Sequence, residues 1–210
     1  MKRGYFITLE GMDGAGKSTH LQWLADYLRA RGIDFVLTRE PGGTPLGESL
    51  RALLLQQDMT AETEAMLMFA ARREHVAKVI EPALQRGQWV VSDRFADASF
   101  AYQGGGRGLS RQLLQQLEAI AVGQTQPDLT LLFDVSWEVS QQRLQAGRQQ
   151  AGQAGLDRFE LEARDFFERV RQAYHQRAQE AGGRIEVIDA SGTIAAIQAT
   201  LSALMDKRLC

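Results

Sequence analysis

LEGMDGAGKSTH, residues 9–20, contains the pattern G-x-x-x-x-G-K-S/T at positions 11–18. It follows the short apolar run YFITLE and precedes a segment whose apolar residues recur at helical spacing. A glycine-rich turn at the start of a helix lets backbone N–H groups surround phosphate oxygens at the positive end of the helix dipole. Lys17 adds a full charge there, and Ser18 can ligate magnesium. The stretch therefore predicts a binding loop for ATP or GTP, without saying what happens to the γ-phosphate.

The amino-acid composition limits the classes of protein to which the chain can belong. The 210 residues are 44% hydrophobic and 24% charged, which is enough for one domain with a sizeable core. The net charge of −2 gives no general attraction to nucleic acid or to an anionic membrane. One cysteine, Cys210, allows no internal disulfide, and the three histidines lack the spacing of a zinc site. No segment has the pattern of a signal peptide or a membrane span, so we expect a soluble cytoplasmic protein without nucleic-acid or membrane partners.

Strands and helices alternate along the chain. Apolar runs predict strands at residues 5–10, 34–40, 88–94, 128–135 and 184–190. Helical spacing predicts helices at residues 18–32, 46–55, about 61–86, 110–123, from 137, about 160–181 and from 194. Gly32 is the expected stop of the first helix, and Ser110 is an expected cap. The alternation predicts an α/β fold of three layers, a five-stranded parallel sheet flanked by helices, as a single domain over 1–210.

The fate of the γ-phosphate depends on the rest of the chain. The sequence has no asparagine, so it lacks the Asn-Lys-x-Asp motif with which regulatory GTPases read guanine. The loop alone does not exclude a motor-type ATPase, whereas a small-molecule kinase needs a second anion site. Two arginine-bearing segments, TREPGGT (38–44) and SDRFADASFAYQGGGRG (92–108), follow predicted strands. Ligands of open α/β sheets bind at the carboxyl ends of the strands, so both segments should flank the loop.

The motifs GMDGAGKST, REPGGT, DR followed by AYQGGGRG, and LDRFE together resemble the bacterial thymidylate kinase family, from the first strand to the last helix. The resemblance implies the P-loop NTPase fold and transfer of the ATP γ-phosphoryl group to thymidine monophosphate (dTMP), with magnesium and as a homodimer. Apolar residues at 53–55 and 113–122 are candidates for the dimer interface, although such residues are more often core. Two alternatives remain: a kinase for another nucleoside monophosphate, and an ATPase or nucleotide switch that acts through partners.

The resemblance also implies roles on the ATP side. The residues implied to bind ATP are Gly11, Met12, Asp13, Gly14, Ala15, Gly16, Lys17, Ser18, Thr19 and Arg143. Lys17 is implied to act in catalysis, and so is Asp13, which approaches the acceptor in the family; the alternative for Asp13 is a solvated loop carboxylate. Ser18 and Asp93 are the candidate magnesium ligands, although Asp93 alternatively only orients Arg94 or Lys17.

On the acceptor side, the residues implied to bind dTMP are Asp13, Glu40, Arg51, Met68, Phe69, Arg72, Arg94, Ser99, Tyr102 and Gln103. Arg51 and Arg94 would clamp the acceptor phosphate, since a guanidinium binds two oxygens at once, and Arg94 is counted as catalytic. Arg72 would reach the exchangeable edge of the base. Either Met68, where the family usually has phenylalanine, or Phe69 would stack on the ring; otherwise Phe69 belongs to the core. Tyr102 would crowd the sugar 2′ position, and Gly104 to Gly106 would form a close-packed turn.

Residues 143–158 are expected to form a mobile lid. They carry Arg143, Arg148 and Arg158 around a glycine- and glutamine-rich patch, which lacks the apolar content of a core element. The variable positions of the phosphate loop contain no arginine, so we expect the catalytic positive charge to come from Arg148 and Arg158. The alternative is a surface linker with ordinary solvated charges.

Overall fold

Within the residues that the computed structural model describes, 3–151, 159 and 163–209, five parallel strands form one sheet. The strands are β1 (Phe6–Gly11), β2 (Phe35–Arg39), β3 (Trp89–Asp93), β4 (Leu129–Asp134) and β5 (Ile185–Asp189). Their order is β2-β3-β1-β4-β5, which puts β1 at the centre. The register pairs Leu9 with Asp93 and Gly11 with Phe133, so the carboxyl end of β1 lies between those of β3 and β4.

Helices cover both faces of the sheet. They are α1 (Lys17–Ala30), α2 (Pro45–Gln56), α3 (Ala61–His75), α4 (Glu81–Gln85), α5 (Ala96–Ser99), α6 (Arg111–Ala121), α7 (Trp137–Ala151), α8 (Arg164–Glu180) and α9 (Ile194–Leu209). On one face, Ile7 and Leu9 pack against α1 and α9. On the other, Phe6 and Val90 pack against the apolar side chains of residues 76–84. The predicted three-layer α/β fold is confirmed.

Local signals account for several helix ends. At the end of α1, Gly32 adopts a φ of 67°, and the N–H of Ile33 donates to the carbonyl of Leu28 at 3.1 Å. This is the Schellman arrangement that a glycine stop predicts. At the start of α6, Ser110 Oγ accepts a 3.3 Å hydrogen bond from the N–H of Leu113, as expected of a cap.

The predicted helix over 61–86 is interrupted by π-helical backbone. After α3, residues Val76–Ile80 form a π-helical segment that leads into α4. Pro82 has no N–H to donate, so the α-helical hydrogen-bond ladder cannot continue unchanged through this region. Among the described residues, no helix is both long enough and apolar enough to cross a bilayer.

Two local predictions were wrong. The glycine- and glutamine-rich patch of the predicted lid begins as helix rather than loop: α7 continues as far as Ala151, because Gln, Arg and Ala are good helix formers whatever their polarity. Arg143 and Arg148 therefore lie on α7, whereas Arg158 and the rest of the predicted lid lie outside the described residues. The expected glycine turn is instead part of a second π-helical segment, Phe100–Gly106, which packs against α8.

Candidate active site

The phosphate loop leaves the central strand at the carboxyl edge of the sheet. Gly14 has a φ of 77°, and a Cβ at this position would lie 2.6 Å from the carbonyl oxygen of Ser140. Ser140 also donates a 2.8 Å hydrogen bond from its hydroxyl to the carbonyl oxygen of Asp13. The first turn of α7 therefore holds the loop in a conformation that only glycine fits.

Three charged side chains meet at the phosphate loop. Lys17 Nζ donates to the carbonyl oxygens of Gly11 and Met12, both at 2.9 Å, and lies 3.7 Å from Asp13 Oδ1. Arg94 Nη2 donates to the same Asp13 oxygen at 2.6 Å. Burial opposes ionisation of Asp13, but Arg94 and Lys17 lower its pKa below the ordinary value. Asp13 is therefore a carboxylate between two cations.

Arg94 has an unusual backbone. Its φ is 69°, in the left-handed region that bulky residues rarely adopt. Two hydrogen bonds hold the turn: the N–H of Arg94 donates to the carbonyl of Leu9 at 2.9 Å, and Ser92 Oγ donates to the carbonyl of Arg94 at 2.7 Å. The guanidinium lies 4.9 Å from the ring centroid of Tyr102. Backbone strain at a residue whose side chain faces a cavity is typical of a functional site.

A cavity of about 100 Å³ opens beside Arg94. Its lining contains the predicted acceptor-side residues Asp13, Glu40, Arg51, Met68, Arg72, Arg94, Ser99, Tyr102 and Gln103. Ala98 and Phe159 line it too. Its mixture of apolar walls with a few charged groups is typical of a small-molecule site.

Arg72 is buried at the inner end of this cavity with all three guanidinium nitrogens engaged. Nε donates to Glu40 Oε2 at 2.6 Å, Nη1 to Ser99 Oγ at 3.0 Å and Nη2 to the carbonyl of Phe95 at 3.0 Å. The side chain is 2% exposed, so this network sets its position. Because each Nη carries a second N–H, the guanidinium keeps donors for a ligand.

Met68 and Phe69, the two candidates for stacking on a base, have different surroundings. Met68 lines the cavity. Phe69 is buried in an apolar cluster with Ala65, Phe100 and Leu114, and its ring lies 4.7 Å from the guanidinium carbon of Arg72. Phe69 therefore supports Arg72 from the core, and of the two side chains only Met68 lines the cavity.

The amide of Gln103 has a fixed orientation. Its Nε2 donates a 2.7 Å hydrogen bond to Glu64 Oε1, and both side chains are buried. Arg107 Nε lies 3.7 Å from the other oxygen of Glu64. With the NH₂ group committed to Glu64, the carbonyl oxygen of Gln103 is left as the acceptor on the cavity side.

A second, open cleft lies on the other side of the loop. It is lined by Gly14, Gly16, Lys17, Ser18, Thr19, His20, Arg143, Gly147, Gly192, Ile194 and Ile197, among others. Arg143 is anchored by a 2.8 Å hydrogen bond from Nη2 to the carbonyl of Ala190. The side chains of Met12 and Ala15 are buried instead, and Gly11 contributes its carbonyl to Lys17. Asp13, Glu40, Arg51 and Arg94 line both the cleft and the cavity, so the two sites meet there.

Asp93 lines the cleft together with Ser18. Its Oδ1 is buried without a hydrogen-bond partner among the described residues. Its charge acts on Arg94 and Lys17 without a direct ion pair to either in the described part of the chain, so both predicted roles stay open. An orphaned carboxylate oxygen that lines the same cleft as a serine hydroxyl suits a hydrated magnesium ion.

Comparison with known proteins agrees with this geometry. A family model described as Thymidylate kinase matches residues 9–201. The chain belongs to the thymidylate kinase family. A protein named thymidylate kinase from Cupriavidus metallidurans is 59% identical over 203 residues, which are 97% of this chain and 98% of that protein. One of the same name from Nitrosospira multiformis is 61% identical over 91% of this chain and 92% of its own length. The crystal structure of thymidylate kinase from Ehrlichia chaffeensis has a TM-score of 0.77 at 33% identity and covers 97% of this chain and 99% of that one.

In this member of the thymidylate kinase family, the sequence did not single out several buried acids, among them Glu64 and Glu10. Glu64 was missed although it precedes Met68 by four residues and Arg72 by eight on the same helix, a spacing that puts all three on one face. Glu10, at the end of β1, gave no comparable signal because its partners lie far away in sequence. Membership of the family confirms the predicted resemblance, whereas the roles of single residues remain predictions.

Proposed function

We propose that the protein transfers the γ-phosphoryl group of ATP to dTMP and forms dTDP. The observation that carries this proposal is the shared wall of Asp13, Glu40, Arg51 and Arg94 between the phosphate-loop cleft and the cavity. Phosphoryl transfer requires two anionic substrates held in line, with cations at the point where they meet. A protein with a single nucleotide pocket and a partner surface would not need this second site.

The acceptor phosphate is assigned to the arginines of the shared wall. Arg94 faces Asp13 across the loop, and Arg51 Nη1 is held by a 3.0 Å hydrogen bond to the carbonyl of Pro41. Two guanidinium groups that converge on one cavity can bind the phosphate through paired N–H donors. Asp13 lies between Arg94 and Lys17 and offsets the repulsion between these two cations.

The thymine base is assigned to the inner half of the cavity. Arg72 would donate to an exocyclic oxygen, and the Gln103 carbonyl would accept from a ring N–H, while Met68 covers the ring. Tyr102 is buried against Arg94 and would leave little room for a ribose 2′-hydroxyl. This set of donors and acceptors matches thymine better than cytosine, whose edge carries the opposite pattern.

Magnesium is assigned to Ser18 and Asp93. When bound, the ion neutralises charge on the phosphate oxygens as the phosphoryl group moves. No group of three or more His, Cys, Asp or Glu side chains suited to a metal occurs in the described part of the chain. A site with few protein ligands is typical of magnesium that is also held by nucleotide phosphates and water.

The lid is proposed to supply the remaining positive charge. Arg143 lies on α7 at the edge of the ATP cleft. Arg148 and Arg158 follow it in sequence, and the loop positions 12–15 offer no arginine of their own. Turnover of Arg148→Ala and Arg158→Ala tests this role: full rates in both variants would contradict it.

We also propose a cytoplasmic homodimer. α3 packs against both α2 and α6, and these helices expose Leu53, Met66 and Ile120, which are 46%, 54% and 73% accessible. Exposed apolar side chains on neighbouring helices are typical of an interface. Light scattering should give the mass of two chains for the protein and one for Ile120→Asp. Val187→Asp, on exposed β5, is the matched control, and an Ile120→Asp variant that stays dimeric would contradict this interface.

A coupled assay of ADP release with ATP, magnesium and dTMP tests the activity. We expect ADP release that depends on dTMP and exceeds the rates with the monophosphates of uridine, cytidine and guanosine. Lys17→Ala, which keeps the acceptor cavity, should abolish it. Equal ADP release with and without dTMP would identify an ATPase or a switch, and no release would contradict the proposal.

A further inference from the structure

Glu10 lies on β1 directly before Gly11, the residue at which the phosphate loop begins, and its side chain is fully buried. Its two carboxylate oxygens have different partners. Oε1 accepts from the backbone N–H of Phe95 at 2.7 Å and from that of Ala98 at 3.3 Å. Oε2 accepts a 2.7 Å hydrogen bond from the hydroxyl of Tyr174 on α8. One side chain thus joins β1 to the segment after β3 and to α8.

Through Oε1, Glu10 on β1 caps the N-terminus of α5, a helix that lies far from it in the sequence. α5 begins after Phe95, whose own side chain provides no cap hydrogen bond. The first N–H groups of a helix have no partners within the helix and need an acceptor. Glu10, on β1, is the acceptor for the N–H of Phe95, and it shares the N–H of Ala98 with the carbonyl oxygen of Phe95. The capped helix leads directly into the π-helical segment that carries Tyr102 and Gln103, both of which line the acceptor cavity.

The same contacts hold the strained turn at Arg94. The N–H of Arg94 donates to the carbonyl of Leu9, and the next N–H, that of Phe95, donates to Glu10. Two consecutive residues of the turn are therefore hydrogen-bonded to two consecutive residues of β1. A left-handed conformation in a non-glycine residue persists only where its surroundings impose it.

The charges around Glu10 come from several elements. Asp97 on α5 disfavours its ionisation, whereas Arg94 and the hydroxyl of Tyr174 favour it. Burial has the largest effect, and with Asp97 it raises the pKa of Glu10 to about 7. Burial of an acid costs stability unless hydrogen bonds compensate for it, and Phe95, Ala98 and Tyr174 donate such bonds to Glu10.

We propose that Glu10 is a positioning residue for phosphoryl transfer: through the N–H groups of Phe95 and Ala98 it holds the Arg94 turn and the acceptor cavity at a fixed distance from the phosphate loop. The inference rests on the proposed kinase function. Glu10 touches neither substrate in this arrangement, since it lines neither the cleft nor the cavity.

Two conservative variants separate reach from charge. E10Q removes the charge but keeps an acceptor oxygen at the same distance, and its NH₂ can donate to the Tyr174 oxygen. E10D keeps the charge but is shorter by about 1.5 Å, one C–C bond, so it cannot reach both N–H groups. E186Q and E186D on β5 are matched controls, because Glu186 is paired with Arg208 and lies outside both sites.

Steady-state kinetics with ATP and dTMP distinguish the effect of side-chain length at position 10 from the effect of charge. We expect kcat/KM for dTMP to fall in E10D by on the order of 10²-fold, the cost of misplacing a catalytic group by about 1 Å. E10Q should retain more activity than E10D, the KM for ATP should stay constant in both, and the controls should match the wild type. Hydrogen exchange at the amides of Phe95 and Ala98 should accelerate in E10D and not in E10Q.

The opposite order of activities in the two variants would overturn the proposal. Activity in E10D equal to or above that in E10Q would show that charge matters rather than reach. A loss of thermal stability without a change of kcat/KM per folded molecule would show a structural role alone. If the wild type does not phosphorylate dTMP, the proposed function fails, while the exchange rates at Phe95 and Ala98 still report whether Glu10 holds the turn.

Discussion

Arg72 Nε donates a 2.6 Å hydrogen bond to Glu40 Oε2, and the two side chains are 2% and 3% exposed. The other oxygen of Glu40 lies 2.8 Å from His75 Nδ1. The carboxylate thus joins the segment after β2 to α3 and compensates a guanidinium that water does not reach. Removing one partner of such a buried pair leaves the other charge without compensation.

Glu40→Gln should therefore destabilise the protein more than the loss of one ordinary hydrogen bond. We expect a decrease in the free energy of unfolding of about 3–5 kcal/mol, the range for breaking a buried pair, together with a higher KM for dTMP. Urea unfolding and steady-state kinetics measure the two effects. Glu186→Gln breaks the half-exposed pair with Arg208 and should cost at most about 1 kcal/mol. Equal costs in the two variants would contradict this account.

Arg94→Lys should retain the fold and lose activity. An ammonium group keeps the charge opposite Asp13 but cannot donate two parallel N–H bonds to a phosphate or lie flat near the ring of Tyr102. We expect a fall in kcat/KM for dTMP on the order of 10²-fold, as for a displaced clamp. Circular dichroism and the coupled assay test this, with Arg73→Lys on the exposed side of α3 as control. Near-normal turnover would exclude the clamp.

Much of the fold could be predicted because its signals are local. The buried strands are unbroken apolar runs, and Gly32 and Ser110 end and begin helices through their own backbone and hydroxyl groups. The continuation of α7 to Ala151 was missed because polarity was given more weight than helix propensity. Polar helices without a strong apolar face look like loops in the sequence.

The candidate site could be predicted only in part. Arg94 stands in a short motif after β3 and Arg72 is implied by the family resemblance, so the sequence named both of these residues, which line the cavity. The choice between Met68 and Phe69 could not be made, because one residue changes the direction of a helical side chain by about 100° and only packing against α6 fixes that rotation. Glu10 is 85 residues from Phe95 in sequence, and such a partner is apparent only in the folded chain.

Gly105→Ala should destabilise the junction between the cavity and α8. A Cβ at Gly105 would lie 2.5 Å from Ala173 Cβ and 2.8 Å from the carbonyl oxygen of Arg169. We expect a loss of about 1–3 kcal/mol in unfolding free energy, typical of overpacking. Gly147→Ala on α7 meets nothing within 4 Å and should instead stabilise the helix by about 0.5–1 kcal/mol. Thermal or urea unfolding of both variants measures the difference, and shifts of the same sign would refute it.

Glu64→Gln should weaken discrimination between bases. A glutamine at this position can either accept from or donate to Gln103, so the amide of Gln103 is free to turn its NH₂ group toward the cavity. The ratio of kcat/KM for dTMP to that for dCMP should fall on the order of tenfold, about the worth of one hydrogen bond. Glu62→Gln, on the exposed face of the same helix, is the control. An unchanged ratio would mean that Glu64 does not orient Gln103.

The free energy of unfolding should depend on pH through the titration of Glu10. Burial and Asp97 raise the pKa of Glu10 from 4.5 to about 7 in the folded state, whereas the unfolded chain keeps the ordinary value. Between these two values the folded state binds the proton more tightly, so this contribution is complete below pH 4.5 and is lost as the pH rises through about 7. E10Q lacks the titration and shares the other ionisable groups. The melting temperature of the wild type should therefore fall relative to that of E10Q from about pH 5 to about pH 8 and then run parallel to it. Parallel curves over the whole range would mean that Glu10 titrates as an ordinary, exposed acid.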